Sequence, residues 1–419
     1  MQQIADLHIH SRYSRACSPQ LTLKNIDKTC RIKGIDIIAT GDFTYPLWFK
    51  SINEDLVEIG DSGLYKLKIA VDKKIKFILS TELALIYKDG GKARRIHLVL
   101  QAPNVKAVAA LNFWLEKNNY NIKSDGRPIL GMSAVELVKV CLNIHPQFLI
   151  YPAHIWTPWF AVFGSKSGFD SLEECFHEYT ENIYAYETGL SSDPEMNWRL
   201  SALDKLTLLS NSDAHSLANI GREANVFELE EVSYKSIYEA IKNKDTKKLK
   251  YTIEFYPEEG MYHFDGHRLC GVRFTPGETK KHKGICPVCK KPLVIGVMNR
   301  VEELADRPSG FKLAGAPGFK KLVELDKIIA EAINIKSRQA AKVQTEYNNL
   351  IRGAGSEMEI LLTKSLADFK KITLPEIVEG IKRVRNGELI IEPGFDGQYG
   401  KIKIFKEEEK NKNQQSVLL

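Results

Sequence analysis

The chain has 419 residues, of which 43% are hydrophobic and 27% are charged. This length predicts two or three domains, with enough apolar residues for real cores. The formal net charge of +6 permits nucleic acid as a partner without establishing it. No apolar run approaches the roughly 18 residues of a membrane span, and the N-terminus has no signal-peptide pattern. We therefore expect a cytoplasmic protein with no membrane partner. Seven cysteines, an odd number spread over a long chain, argue against a disulfide framework.

The N-terminal strand carries the first candidate site. Asp6, His8 and His10 alternate with Leu7 and Ile9, and alternation in an extended strand places the three polar side chains on one face. Imidazole and carboxylate together are typical ligands of Zn, Mn or Fe. A half-buried strand with its polar face toward solvent shows the same pattern, so the rest of the chain has to decide.

Residues 1 to about 225 alternate short β-rich runs with helix-like stretches. Such alternation predicts a parallel sheet, either open or closed into a barrel. The predicted strands are 35–40, 76–81, 96–100, 148–151, 182–186 and 206–210, and the predicted helices are 105–117, 133–142 and 194–204.

Almost every predicted strand ends in a side chain that can bind a metal ion. In α/β folds the ligand site lies where the strands end at their carboxyl edge. A single polar strand end is usually a cap, but a series from seven segments predicts a multinuclear metal centre. In such a centre a carboxylate such as Glu82 can bridge two ions that hydrolyse a phosphoester. The series is Asp6, His8, His10, Asp42, Glu82, His97, His154, Glu187, Asp213 and His215.

The same residues resemble the motifs of the PHP (polymerase and histidinol phosphatase) superfamily. The matching motifs are Asp6-Leu7-His8-Ile9-His10, Thr40-Gly41-Asp42, Glu82, His97, Pro152-Ala153-His154 and Ser212-Asp213-Ala214-His215. The resemblance implies a distorted barrel of seven strands and a trinuclear site. The implied metal ligands are His8, His10, Asp42, Glu82, His97, His154, Asp213 and His215.

One position departs from the superfamily pattern. The usual motif has a histidine after the aspartate of the second motif, and this chain has Phe43 there. Asp42 itself, or Cys17 in the loop after the first strand, could compensate for the missing ligand. For Cys17 the alternative is a small buried apolar residue. The number and identity of the bound ions therefore stay open.

A second metal site is predicted downstream. His267, Cys270, Cys286 and Cys289 have the spacing of a tetrahedral structural zinc site, with His263 as the alternative to His267. Lysines crowd around this module and offer a phosphate-contact surface, although a solvated charged face would look the same. These lysines are Lys280, Lys281, Lys283, Lys290 and Lys291.

The predicted fold class is α/β: a PHP-type distorted (β/α)7 barrel, a small zinc-binding module and a mainly helical C-terminal region. The expected domains are a catalytic domain at 1–230, a linker helix at 231–262 with its helical pattern over 236–250, and the zinc-binding module at 263–305. A C-terminal DNA-binding region at 306–405 and a disordered tail at 406–419 follow. Within 306–405 the pattern predicts helices at 320–333, 356–371 and 375–386 and a hairpin at 389–405.

Three further features have two interpretations each. Asp193 before Pro194 is either an N-cap or a catalytic residue, and we keep it with Asp213 as a catalytic candidate. Trp156, Trp159 and Phe160 either stack on a base or pack the loop. The loop 353–356 either binds an anion through its backbone or is an ordinary turn.

The whole chain resembles the endonuclease Q family. This likeness is carried by the PHP motifs, the segment Gly284-Ile285-Cys286-Pro287-Val288-Cys289, the run 300–307 and the closing segments 393–397 and 400–405. No phosphate-binding loop of the Gly-x4-Gly-Lys-Ser/Thr type is present, so an ATP-driven motor is not expected.

The resemblance implies a DNA repair endonuclease. It would hydrolyse the phosphodiester bond 5′ to a deaminated base (uracil, hypoxanthine or xanthine) or an abasic site, with zinc in both sites or Mg or Mn at the PHP site. The partner is then DNA carrying those lesions, while the sequence neither predicts nor excludes a replication clamp. Two alternatives stay open: a phosphomonoesterase of the histidinol-phosphatase type, and a PHP protein that binds DNA without cutting it.

Overall fold

A computed structural model of the chain describes residues 1–409. These residues form two compact units. The first unit holds Met1–Arg31, Ile35–Glu254 and Gly296–Lys320, and the second holds Ile32–Gly34, Phe255–Ile295 and the described residues from Lys321 to Glu409. No helix in the described part of the chain is long and apolar enough to cross a membrane.

The strands of both units are numbered in chain order. They are β1 (Gln2–Asp6), β2 (Ile37–Ala39), β3 (Leu56–Glu58), β4 (Tyr65–Leu67), β5 (Lys76–Ile78), β6 (Ser80–Asp89), β7 (Lys92–Gln101), β8 (Ile129–Leu130), β9 (Leu149–Pro152), β10 (Ala185–Glu187), β11 (Thr207–Leu209), β12 (Ala224–Glu228), β13 (Leu249–Glu254), β14 (Asp265–His267), β15 (Val272–Phe274), β16 (Gly318–Lys321), β17 (Ile390–Glu392) and β18 (Lys401–Lys403).

The α-helices are numbered in the same way, and five short 3-10 helices accompany them within residues 1–409. The α-helices are α1 (Leu23–Lys33), α2 (Pro46–Asp55), α3 (Val105–Lys117), α4 (Ala134–Ile144), α5 (Leu172–Phe176), α6 (Pro194–Asn197), α7 (Tyr234–Lys242), α8 (Pro276–Lys281), α9 (Val297–Leu304), α10 (Leu325–Ala332), α11 (Ala341–Ala354), α12 (Glu357–Leu362), α13 (Leu366–Phe369) and α14 (Pro375–Asn386). The 3-10 helices are His177–Asn182, Ser201–Leu203, Leu217–Asn219, Pro257–Glu259 and Arg268–Cys270.

Seven segments of the first unit form a closed ring. β1 pairs in parallel with β2, and β2 with β5, which runs on into β6. β6 pairs with β7, and β7 with β9, both antiparallel, while β10 and β11 pair in parallel. Backbone bonds close the gaps: Ile155 N–H donates to Glu187 O at 3.0 Å, and Asp213 N–H donates to His8 O at 3.0 Å. The mixed α/β class is confirmed, and the ring agrees with the seven-strand barrel that the resemblance implies.

The segment 96–100 belongs to a hairpin rather than to a purely parallel set. β6 and β7 are joined by Gly90 and Gly91, whose φ angles are 55° and 75°. A two-residue turn with both residues in the left-handed region is the turn that matches the twist of a β-hairpin. The Gly-Gly pair between two β-rich runs was therefore a hairpin signal in the sequence.

The predicted linker helix is wrong in its second half. The helix α7 ends at Lys242, Lys244 turns with a φ of 49°, and β13 then pairs antiparallel with β12. Leu249, Thr252 and Ile253 of β13 are buried, so this segment belongs to the sheet of the first unit. That sheet has eight strands in the order β16-β13-β12-β1-β2-β5-β4-β3.

The segment 296–320 also differs from its predicted place. It belongs to the first unit, where Arg300 of α9 donates to Phe163 O at 3.1 Å and to Phe169 O at 3.0 Å. Arg307 donates to a carboxylate oxygen of Asp204 at 2.8 Å. These arginines donate to loop carbonyl groups and to a carboxylate of the first unit, and the charge pattern of the sequence did not reveal these contacts.

The second unit contains the β14–β15 hairpin, the helices α10 to α14 and the predicted C-terminal hairpin, formed by β17 and β18. The helix expected at 320–333 begins only at Leu325, and the helix expected at 356–371 is two short helices, α12 and α13. Pro375 occupies the first turn of α14 as predicted.

The helix α11 was not predicted, and it changes the interpretation of the loop 353–356. Gly353 and Ala354 are helical, and Ser356 caps α12 in a capping box with Glu359. The loop is therefore a helix junction. In the predicted tail, residues from 410 onward lie outside the described part of the chain, whereas Glu409 accepts hydrogen bonds from Arg383 at 2.8 and 3.0 Å.

Candidate metal centre

Four side chains converge at the carboxyl ends of the barrel strands to form a first ligand group. His8 and His10 come from the end of β1, Glu82 from β6 and Asp213 from the segment after β11, and one ligand atom from each lies within 4.8 Å of all the others. His10 Nε2 lies 3.0 Å from Asp213 Oδ1 and 3.3 Å from Glu82 Oε2. Two imidazoles and two carboxylates in this arrangement suit a divalent transition metal.

Glu82 also belongs to a second ligand group with His97 and His154. Its other oxygen, Oε1, lies 2.8 Å from His97 Nδ1 and 3.0 Å from His154 Nε2. Because Oε2 faces the first ligand group and Oε1 faces the second, this one carboxylate can bridge two ions. The long hairpin strand β6 places the carboxylate between the two groups.

The imidazoles of the first ligand group are held by carboxylates behind them. His10 Nδ1 lies 3.0 Å from Asp42 Oδ1, and His8 Nδ1 lies 3.0 Å from Glu187 Oε2. A carboxylate at Nδ1 fixes the proton there and leaves the Nε2 lone pair for a metal. Both Nε2 atoms point into the ligand group.

These contacts favour a positioning role for Asp42, whereas its role as a metal ligand stays a prediction. It is fully buried, and its Oδ2 accepts hydrogen bonds from Ser11 N–H at 2.7 Å and from Ser14 Oγ–H at 2.8 Å. Its oxygens are engaged by these donors and by His10, and it lies outside both ligand groups. Gly41 allows the backbone before Asp42 to lie against Ile9 O, since a Cβ at Gly41 would be 2.4 Å from that oxygen.

Backbone strain is concentrated at the centre. Asp42, His154 and Asp213 have φ angles of 48°, 28° and 45°, in the left-handed region that residues with a Cβ rarely adopt. Strain of this kind persists where the surrounding structure holds it, and it clusters at functional sites.

The electrostatics of the centre favour bound cations. Asp42, Glu82 and Glu187 are fully buried carboxylates, and Asp213 is buried except for part of its side chain. Burial alone would lower the pKa of His8, but Glu187, Glu82 and Asp213 outweigh it and raise the pKa to about 9. So much negative charge in a buried site needs positive charge close by.

Buried atoms without partners show that the residues fit a metal. Within residues 1–409, His8 Nε2, His10 Nε2 and Asp213 Oδ1 are buried and make no hydrogen bond of acceptable angle, although His10 Nε2 and Asp213 Oδ1 lie 3.0 Å apart. Buried polar atoms are normally paired, and all three belong to the first ligand group. The donor set and its unpaired atoms thus fit a divalent ion.

Arg127 is a residue of the centre that sequence reasoning missed. Its Nη1 donates to Glu82 Oε2 at 2.9 Å. It precedes β8 in a loop that no motif marks; the dipeptide Asp125-Gly126 before it was the available sign of a tight turn.

The remaining predicted residues lie outside the two ligand groups. His215 lies beside His10, with ring centroids 4.6 Å apart, and its Nδ1 lies 2.8 Å from Asp213 O. Asp193 caps α6 by accepting from Met196 N–H at 2.9 Å, so its capping interpretation is confirmed and its catalytic role stays a prediction. Phe43 is fully buried, and burial raises the pKa of Cys17 to about 12.

The aromatic residues after His154 have different roles: one packs the loop, and two stay available to stack on a base. Trp156 is 1% exposed and donates to Asn197 Oδ1 at 2.8 Å, so it packs the loop. Trp159 is 46% exposed, and the ring of Phe160 lies 4.7 Å from the ring of His97. These two rings stay candidates for stacking.

The predicted zinc-type ligands also come together, in the second unit. One ligand atom each of His267, Cys270, Cys286 and Cys289 lies within 4.8 Å of the others, whereas His263 lies outside this Cys/His group. The module has a small core, in which Val272, Cys286 and Leu293 are the buried residues. A module with so little core is the kind that a structural metal stabilises.

Comparisons with known proteins show which proteins this chain is similar to. A family model described as PHP-associated matches residues 198–246, and one described as the MJ0043 C-terminal domain matches residues 324–388. The chain is 33% identical over 254 residues to the protein MJ0043 of Methanocaldococcus jannaschii, a match that covers 59% of this chain and 31% of that protein. The chain thus spans about a third of the length of this curated relative.

Two solved structures match almost the whole chain. One is the lesion-specific endonuclease PfuEndoQ from Pyrococcus furiosus, with 30% identity, a TM-score of 0.84 and coverage of 98% of this chain and 99% of that one. The chain belongs to the endonuclease Q family. The second structure is endonuclease Q in complex with a 27-mer duplex that has an abasic lesion at the active site, with 31% identity, a TM-score of 0.83 and coverage of 97% and 98%.

Membership in the endonuclease Q family confirms the resemblance drawn from the sequence motifs and identifies the chain as a metal-dependent DNA endonuclease. Family membership does not decide which side chains act as ligands; the contacts at His8 and His10 favour positioning roles for Glu187 and Asp42.

Proposed function

We propose that the protein is a DNA repair endonuclease that hydrolyses the phosphodiester bond on the 5′ side of a deaminated base (uracil, hypoxanthine or xanthine) or an abasic site. One observation carries the proposal: two ligand groups share Glu82 at the strand ends of a chain that matches endonuclease Q over 98% of its length. A base lesion within a duplex would have to be extruded from the stack, at a cost that is lowest for a mismatched or damaged base.

The proposed ligands are His8, His10 and Asp213 on one side of Glu82, and His97 and His154 on the other. Two divalent ions held there would supply a water nucleophile at neutral pH and stabilise negative charge on the phosphate oxygens. Asp42 and Glu187 keep the imidazoles of His10 and His8 in the tautomer that leaves Nε2 free. Zinc suits the imidazole-rich donor set, and Mg or Mn is the alternative.

The Cys/His group has a different proposed role. Its three cysteines and one histidine would hold a metal ion as a closed ligand set, which is typical of structural zinc. Lys280, Lys283 and Lys290 are exposed around it, and we propose that this face contacts DNA phosphates. DNA with these lesions is thus the proposed partner of both units.

The test is a labelled duplex carrying one deoxyuridine, deoxyinosine or abasic site, incubated with the metal-loaded protein. We expect a single nick immediately 5′ of the lesion, and loss of that nick in Asp213→Asn. The matched control is Asp61→Asn, which removes an exposed aspartate and should cut as the wild type does.

Two other outcomes would replace the proposal. Hydrolysis of a free phosphomonoester without nicking would indicate a phosphatase of the histidinol-phosphatase type. Lesion binding without any cut, by protein shown to be folded and metal-loaded, would indicate a DNA-binding PHP protein. Neither alternative accounts for both ligand groups together with a match over the whole chain.

A further inference from the structure

Arg127 presents unused hydrogen-bond donors beside the metal centre. Its Nη1 donates to Glu82 Oε2 at 2.9 Å, and its side chain is 23% exposed. Within residues 1–409, each side-chain nitrogen of Arg127 is therefore either hydrogen-bonded or accessible to solvent. A guanidinium has five N–H donors, so the remaining donors of Arg127 reach solvent at the edge of the first ligand group.

The loop 125–127 packs directly against residues of the metal centre. Asp125 Oδ1 accepts from Arg127 N–H at 3.0 Å, and Gly126 N–H donates to Tyr13 O at 3.0 Å. A Cβ at Gly126 would lie 2.4 Å from both Asp42 Oδ2 and Ser14 Oγ. The backbone before Arg127 is therefore pressed against the carboxylate that orients His10, which fixes where the guanidinium enters the site.

We propose that Arg127 binds a non-bridging oxygen of the phosphate that is cut, an inference that rests on the proposed function. The carboxylates of both ligand groups are committed to ions, and a phosphodiester brings a further negative charge to this edge. A guanidinium is planar and presents parallel N–H donors that match two phosphate oxygens. Arg127 is then a catalytic residue in direct contact with the substrate.

The competing explanation is that Arg127 only neutralises Glu82. In that case its loss would weaken metal binding and leave the contact with phosphate unchanged. Metal content per chain, measured after dialysis, separates the two explanations: we expect Arg127→Ala to keep its ions. Loss of the ions in both Arg127→Ala and Arg127→Lys would overturn the proposal.

Binding measured with Ca²⁺, under conditions where the wild type does not cut, tests the contact itself. The probe is a lesion duplex whose scissile linkage is a neutral methylphosphonate. We expect the wild type to bind it about tenfold to a hundredfold more weakly than the natural duplex, the loss expected for one hydrogen bond between charged groups. Arg127→Ala should show a methylphosphonate effect at least several-fold smaller than that of the wild type, because the phosphate charge keeps its contacts with the ions but has lost the guanidinium.

Arg15→Ala is the matched control, since it removes an exposed arginine from the adjoining loop and should keep the full methylphosphonate effect. Additive losses from Arg127→Ala and methylphosphonate would overturn the proposal. If Arg127→Ala does not fold, Arg127→Gln takes its place in the same comparison.

Failure of the proposed function gives a different result. A wild type that neither binds nor nicks the duplex refutes the DNA substrate, and orthophosphate titrated into the metal-loaded protein then tests Arg127 directly. At least tenfold weaker orthophosphate binding in Arg127→Ala, with no change in Arg15→Ala, supports the contact, and equal binding in all three proteins overturns it.

Discussion

Replacing Asp42 by asparagine tests whether this residue orients a ligand or is one. Asp42 Oδ1 lies 3.0 Å from His10 Nδ1, and Oδ2 accepts from Ser11 N–H at 2.7 Å. Asparagine keeps one acceptor oxygen but presents an NH₂ group at the other position, so it cannot serve both donors. We expect His10 to lose its fixed orientation and metal affinity to fall about 10- to 100-fold, the usual cost of removing such a partner.

The assay is the number of bound ions per chain together with their affinity in competition with a chelator. Asp42→Asn should still bind the full number of ions at saturating metal, although more weakly. Glu187→Gln is the parallel variant at His8 and should behave in the same way, whereas Asp213→Asn should lose an ion outright. If Asp42→Asn also lost a whole ion at saturation, Asp42 would be a ligand and the geometric reasoning would be refuted.

Three further predictions follow from the structure. Glu82→Gln should lose both ions of the centre, because each ligand group uses one of its oxygens; an ion retained at full affinity would contradict the bridge. Cys286→Ala should bind one tightly held ion fewer than the wild type, and its Tm should fall as the Tm of the wild type falls when a chelator removes that ion. Unchanged metal content would refute the Cys/His site. Burial raises the pKa of Glu254 from its ordinary value of 4.5 to about 8. Folding therefore favours the protonated carboxyl group of Glu254. The contribution of this group to the free energy of unfolding is complete below pH 4.5 and is lost as the pH rises through 8. Glu254→Gln should raise the Tm by several degrees at pH 8.5 and little at pH 4.5, and equal shifts at both values would count against it.

The sequence predicted the membership of the centre better than the roles within it. His8, His10, Glu82, His97, His154 and Asp213 all follow from one rule, that strands of an α/β fold deliver their ligands at one edge. Asp42 followed from the same rule, and its place behind His10 favours a positioning role over the predicted role of ligand. A carboxylate behind an imidazole and a carboxylate on a metal are identical in sequence, and only the direction in which each oxygen points separates them.

Other features had weaker local signals. The Gly90-Gly91 turn marked the β6–β7 hairpin, yet the pattern of a parallel sheet overrode it. The return of 296–320 to the first unit depends on Arg300 and Arg307 meeting carbonyl groups and carboxylates more than ninety residues away in the chain. Local sequence propensity gives no sign of such distant contacts. The predicted boundary between the zinc module and the C-terminal region was therefore drawn without them.

The strained residues explain why the fold and the metal centre depend on each other. Asp213 holds a φ of 45°, and its N–H closes the barrel by donating to His8 O at 3.0 Å. A left-handed residue costs on the order of 1–2 kcal/mol, and here the ring closure holds it. The side chain of Asp213 and the imidazole of His8 then meet in the first ligand group. An ion that binds both therefore stabilises the bond between β11 and β1, because a ligand of the native state stabilises it by mass action. We therefore expect loss of the ion to weaken the hydrogen bond between Asp213 N–H and His8 O, so that metal loss and loosening of this seam occur together.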